Sequence, residues 1–297
     1  MWDNRIRTET GEKTEMNGLK TALLLGSLSG LLVVGGNMLS PGGNGMAIGL
    51  MMALGMNFFS YFFSEKMALK SSGAIRVSET ENPQIYRRLE PMTRQLCQRM
   101  GLPMPKLWVI PEQAPNAFAT GRNPKNSSVA VTAGLLELMN QEELEGVVAH
   151  ELAHIKNRDI LISSIAATVG AALTYMAHMA MFFGGRHDDD DAPNPMVALL
   201  MLILAPVAAG IIQMAISRTR EYAADETAAR AIGSGSGLAS ALGRLEGWSK
   251  RIPMHSNEAM SHMYIVKPLT GQSLAKLFST HPATQERIAR LRALQIG

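Results

Sequence analysis

The chain has 297 residues, 46% of them hydrophobic and only 18% charged, with 27 glycines and 21 methionines. That balance argues against an ordinary soluble globule and for a protein partly in lipid. A net charge of +3, without a basic run or interleaved aromatics, gives no reason to expect nucleic acid. The single cysteine, Cys97, excludes an internal disulfide and reads as core.

A helix crosses about 30 Å of hydrocarbon in roughly 20 apolar residues. Four stretches qualify: 21–39, about 45–63, 160–183 and 196–217. A polar leader, residues 1–20, carries Arg5, Arg7, Lys13 and Lys20. Those charges before an apolar run invite a signal-peptide reading. The leader is too long for one, the run too long, and a second run follows at once. Ser40-Pro41-Gly42-Gly43-Asn44 makes a tight turn, so 21–63 is predicted as a transmembrane hairpin. Its second arm ends in Phe58, Phe59, Tyr61, Phe62 and Phe63, a composition suited to the membrane interface.

Lysine and arginine placement sets the orientation. The leader is basic, Lys66, Lys70 and Arg76 follow the second stretch, and the first turn has no positive charge. Arg218 and Arg220 follow the fourth stretch, whereas the 184–195 loop sets one arginine against Asp188 to Asp191. Both hairpins are therefore expected to keep both termini cytoplasmic. The third stretch contains His178 and many small residues, so a buried core helix competes with a span there. His178 itself reads as a satisfied interior or interfacial histidine.

Residues 64–297 are predicted as one unit crossed by the second hairpin. Short β-rich runs at 106–110, 116–120 and 127–131 suggest a small sheet whose exposed edge can bind an extended peptide through its main chain. An amphipathic helix is expected over 141–157. It carries His150-Glu151-Leu152-Ala153-His154. The two histidines lie one turn apart on one face, where both reach one ion, and Glu151 sits where it can hold and deprotonate a water. That is the chemistry of zinc-assisted hydrolysis, with one Zn2+ per chain.

A third ligand is required, and Glu221 is the best candidate. It directly follows the fourth stretch, as His150 and His154 directly precede the third, so an antiparallel hairpin brings all three to one membrane face. Asp225, one turn beyond Glu221, is placed to accept the outer N–H of a ligating histidine, or is a surface helix carboxylate. Asp159, five residues after His154, can cap or orient similarly. His281, in Ser279-Thr280-His281-Pro282, either donates to a developing oxyanion or simply opens the helix expected over 283–294. The stretch 254–264 reads as loop.

The His150–His154 motif with Ile155-Lys156-Asn157-Arg158-Asp159 resembles the HtpX heat-shock membrane metalloproteases. So do Glu221-Tyr222-Ala223-Ala224-Asp225, Asn116-Ala117-Phe118-Ala119-Thr120-Gly121, and Thr280-His281-Pro282 with Arg287-Ile288. That family is related to the CAAX prenyl endopeptidases and to the mitochondrial protease Oma. The resemblance implies a zinc endopeptidase of the bacterial inner membrane, its active site toward the cytoplasm, cleaving misfolded or damaged membrane proteins under stress. It also implies Glu221 as third ligand with Asp225 its partner, Asn116 on the strand that aligns substrate, and His281 with Arg287 facing the cleft as catalytic and substrate-binding groups.

The fold class expected is thus mainly α and multi-pass, with four transmembrane helices around a zincin-like core that includes a small sheet (α+β). Its expected partners are the bilayer and unfolded or membrane-protein substrates. Two other readings stand beside it: a processing protease for one lipid-anchored or prenylated substrate, and an inert membrane scaffold that binds metal.

Overall fold

The structure is a computed structural model that describes residues 43–162, 218–249 and 283–296, with Leu25, Gly26, Ser29, Gly30, Val33 and Ile165. It is mostly helical around one small mixed sheet. Helix α1 (Gly43–Ser71) leads through β1 (Ile75–Arg76) into α2 (Pro83–Met100). Strands β2 (Lys106–Ile110), β3 (Ala117–Asn123) and β4 (Asn126–Thr132) follow, then α3 (Ala133–Leu138) and α4 (Gln141–Lys156). Helices α5 (Arg218–Ile232), α6 (Ser236–Ser249) and α7 (Thr284–Ala293) complete the described chain.

The sheet order is β1-β2-β4-β3, with β2 parallel to β4 and the other pairs antiparallel. Alternation along the strands gives it two unlike faces. Leu107, Val109, Ala117, Ala119, Val129 and Val131 point into the main core, where α2, α4, α5 and α6 pack. Ile110, Phe118 and Ala130 point the other way, against Ala68 and Leu69 of α1. Cys97 lies in the main core, and burial raises its thiol to about 11.

Helix α1 changes character along its length. Met46, Ile48, Leu50, Met51, Met52, Leu54, Phe58 and Phe59 are exposed large hydrophobics, and Asn44–Ser71 is long and apolar enough to cross a membrane. The covered side of that part is a stripe of small residues, Gly45, Gly49, Ala53 and Ser60. Asn57, on the same side, donates through Nδ2 to Ser29 Oγ at 2.9 Å. Small residues let a neighbouring helix approach closely. From Ser64 onward α1 docks on the sheet instead, where the Glu65 carboxylate accepts from Ser128 Oγ at 2.7 Å and Lys106 Nζ at 3.1 Å. The second apolar stretch is therefore one part of a longer helix, which continues because Glu65, Ala68 and Leu69 find partners on the sheet.

Among the described residues α1 is the one helix that meets the length and composition of a span. The first, third and fourth apolar stretches lie almost wholly outside the described residues. The exceptions are isolated positions of the first and the opening turn of the third, where Ile160, Ile162 and Ile165 are buried.

Two close approaches fix where α4 sits. A Cβ on Gly146 of α4 would stand 2.6 Å from the Leu238 nitrogen of α6, and one on Gly237 would stand 2.5 Å from the Glu142 carbonyl. Facing glycines thus let the two helix backbones touch.

Candidate metal centre

Helix α4 starts with a capping box: the Glu143 N–H donates to Asn140 Oδ1 at 2.9 Å, and the Asn140 N–H donates to Glu143 Oε2 at 3.0 Å. Ser240 Oγ and Arg244 Nη1 of α6 also donate to Glu143, at 2.6 and 3.0 Å. Leu144, Val147, Val148, Leu152 and Ile155 bury the rest of the helix. Its last turns are therefore held rigidly, and they carry His150 and His154.

The two imidazoles meet edge to face at 86°, with their Nε2 atoms 3.1 Å apart. Glu221, in the first turn of α5, places Oε2 3.6 Å from His150 Nε2 and Oε1 3.6 Å from His154 Nε2. Ligands about 2.0–2.2 Å from one tetrahedral metal stand about 3.3–3.6 Å from each other. The two Nε2 atoms and the Glu221 carboxylate, which turns one oxygen toward each ring, converge at about that spacing and could hold a metal ion.

The outer nitrogens support the same assignment. His150 Nδ1 lies 3.0 Å from Asp225 Oδ1, and His154 Nδ1 lies 3.0 Å from Asp159 Oδ2. With each Nδ1–H donated to a carboxylate, each Nε2 presents a lone pair to the same point, the arrangement of a carboxylate–histidine–metal site. Asp159 reaches back because Arg158 adopts a left-handed φ of 59°, which turns the chain as α4 ends.

Arg287 of α7 is buried and clamps both acids of α5. Its Nε and Nη2 donate to Asp225 at 2.8 and 2.7 Å, and its Nη1 lies 3.1 Å from Glu221 Oε2. This bidentate pair holds Asp225 below the usual carboxylate range, although burial alone pushes it up. Arg220, also buried, feels the charges of Asp159 and Glu221.

Four buried carboxylates, Glu151, Asp159, Glu221 and Asp225, therefore face two buried guanidiniums, Arg220 and Arg287. Acidic side chains thus outnumber guanidiniums around the two histidines, an environment suited to a cation. The His150 imidazole reports the same field. Burial disfavours its charged form, yet hydrogen bonds to Asp225 and Glu221 outweigh that and raise it to about 9. Such a pocket draws in positive charge, and the residues present fit a metal ion.

Glu151 is buried beside the pair, and loss of solvent raises its carboxyl above the ordinary value, opposed by both histidines. The Ala119 N–H of β3 donates to it. That bond sets the edge of β3, which pairs with β4 alone among the described residues, against the site. Asn116, buried just before β3, is tied into the sheet. Its N–H donates to Thr132 Oγ1 at 2.8 Å, and its Oδ1 accepts from the Ala117 N–H at 2.9 Å.

Of the residues expected from the sequence, the structure brings together His150, His154, Glu221, Asp225, Asp159, Glu151 and Arg287. Asn116 stands at the start of the neighbouring strand, and His281 lies outside the described residues, as does 254–264. Arg220 and the Ala119 N–H were missed. A buried arginine next to an acidic ligand leaves no spacing signal, and a backbone donor leaves none at all.

A helix with two histidines and a glutamate between them, a third candidate ligand from a second helix and an edge strand alongside together define a metallopeptidase. Peptidase family M48 matches residues 80–295, and the chain belongs to that family. Among curated relatives, a "Protease HtpX homolog" of Pelotomaculum thermopropionicum is 51% identical over 95% of this chain and 100% of its own length. A second, from Desulfatibacillum aliphaticivorans, is 52% identical over 93% of this chain and 89% of its own. A third, from Paraburkholderia phytofirmans, is 49% identical over 93% and 96%. Among solved structures, the crystal structure of S. mikatae Ste24p aligns with a TM-score of 0.49 at 19% identity, over 95% of this chain and 66% of that one. The protein is a metalloendopeptidase.

Proposed function

We infer that this chain is a zinc endopeptidase anchored in the bacterial inner membrane, where it cleaves misfolded or damaged membrane proteins as part of a stress response. The observation that carries the chemistry is the convergence of His150 Nε2, His154 Nε2 and the two oxygens of the Glu221 carboxylate, at 3.1 to 3.6 Å, beside the Glu151 carboxylate. Two imidazoles and one carboxylate are the donor set of a catalytic zinc with an open fourth position. Zinc, when bound there, polarises the scissile carbonyl and makes water acidic enough to lose a proton near neutral pH.

The chain's own residues do the rest. Glu151 takes the proton of the attacking water and passes it to the leaving amine, a role helped by a carboxyl whose affinity for protons burial has raised. Asp225 and Asp159 hold the histidine rings and their tautomers, and Arg287 holds Asp225 and Glu221. The edge of β3 that lies against the site aligns an extended substrate through main-chain hydrogen bonds, with Asn116 fixing the start of that strand. Such binding selects backbone over side chains and suits removal of damaged proteins better than a single dedicated substrate. His281 is assigned to the oxyanion.

The exposed apolar part of α1, residues 44–63, is long enough at about 1.5 Å per residue to cross about 30 Å of hydrocarbon. With 21–39 it makes the first hairpin, and 160–183 with 196–217 the second. Both termini and the active site then face the cytoplasm, and residues 64–297 form the peptidase domain. Purified full-length chain reloaded with zinc should cleave reduced, unfolded casein, and its Glu151→Gln variant should not. Equal cleavage by the two would end the peptidase assignment to this site.

A further inference from the structure

A groove of about 830 Å³ opens on the outer face of the sheet, where α1 passes from its exposed apolar part to its docked end. Five cations line it, Lys66, Lys70, Arg76, Lys106 and Arg122, against one carboxylate, Glu65. Glu65 is already engaged by Lys106 and Ser128. Lys66, Lys70, Arg76 and Arg122 have no carboxylate partner among the described residues.

Three of these cations rest on ring faces: Lys66 over Phe63 at 5.7 Å, Arg76 over Trp108 at 5.4 Å and Arg122 over Phe62 at 5.1 Å. A guanidinium stacked on a ring is held in place while its N–H edge stays free for an anion. The cations also come from separate elements: the end of α1, β1, and the end of β3. Basic residues that merely flank a span would sit beside it in sequence, and Arg122 does not.

The groove's walls fix what kind of anion fits. Tyr61, Phe62 and Phe63 form its apolar side, continuous with the exposed hydrophobic surface of α1, and the charges begin within one turn of them. With α1 in a bilayer, on which reading this site depends, the groove opens where hydrocarbon gives way to headgroups. A free phosphate would meet the charge but leave the aromatic wall uncovered. We propose that this groove binds the phosphodiester headgroup of an anionic phospholipid, whose acyl chains run along α1. The bound lipid ties the outer face of the sheet, and through Arg122 the far end of β3, to the membrane surface.

Native mass spectrometry of the detergent-purified full-length chain tests this with added phosphatidylglycerol or phosphatidylcholine of equal chain length. The wild type should retain one phosphatidylglycerol at least tenfold more tightly than phosphatidylcholine. The Arg76→Gln/Arg122→Gln variant should lose that preference, and an Arg87→Gln/Arg94→Gln control, with the same charge removed elsewhere, should keep it. Unchanged thermal unfolding of all three proteins shows that they are folded, and the lipid readout does not depend on peptidase activity. Equal retention of the two lipids would overturn the proposal, as would equal loss in the control. So would displacement of the lipid by millimolar inorganic phosphate, which would make soluble phosphate the ligand.

Discussion

On the inner side of the sheet, Arg220 and Arg287 are buried among four carboxylates, and Arg287 bridges Asp225 and Glu221, which both contact the histidines. On the outer side, four cations stand over aromatic rings or at the groove rim without a carboxylate among the described residues. The same sheet therefore carries a closed charge network on one face and an open one on the other. Buried charge without partners is too costly to keep, so the inner acids are paired with guanidiniums and histidines. Exposed charge near an anionic surface needs no internal partner, because the surface supplies one.

That contrast predicts large effects inside. Glu151→Gln keeps the metal ligands and removes the proton acceptor, so cleavage should fall by about 10²–10⁴-fold while metal content stays at that of wild type. Arg287→Met leaves Asp225 and Glu221 without their clamp. Breaking a buried pair from one side costs about 3–5 kcal/mol, visible as a lowered denaturation midpoint in metal-free protein. Asp225→Ala removes the acceptor of His150 Nδ1, and loss of such a partner weakens metal affinity by about 10–100-fold, measurable by competition with a chromophoric chelator.

Effects on the scaffold should be smaller. Gly146→Ala pushes a methyl into the α6 backbone and should destabilise the fold by about 1–3 kcal/mol, read from chemical denaturation. Glu143→Gln adds a pH signature. Burial pushes this carboxyl up, but donation from Ser240, Asn140 and Arg244 outweighs it and holds the group below its ordinary value. Folding then favours the charged form. The stabilisation is complete above the unfolded-state value of about 4.3 and is lost as pH falls through the lower folded one. The variant should be weaker than wild type by about 1 kcal/mol at pH 7, and the difference should vanish below the folded value.

The sequence made the inner site legible where its pattern is local or set by topology. His150 and His154 are a helical repeat, and Glu221 follows from ordering two apolar stretches as a hairpin. The Arg287–Asp225 pair joins residues 62 apart, and no periodicity links them. The facing Gly146 and Gly237 each look like a weak helix residue until the partner helix is present. In the sequence the second apolar stretch ends at Phe63 because Lys66, Lys70 and Arg76 look like a membrane flank. Helix α1 runs on to Ser71 because Glu65 and the small or apolar Ala68 and Leu69 meet the sheet. The groove was illegible for the same reason, since its charges come together only when α1 docks.

The account rests on three side chains holding one metal. X-ray absorption at the zinc edge of zinc-loaded, full-length protein measures that directly. It should show one zinc per chain with two imidazoles and carboxylate oxygen at about 2.0–2.2 Å, and Glu221→Ala should remove one of its ligands. A zinc shell with a single imidazole, or one unchanged by Glu221→Ala, would contradict it.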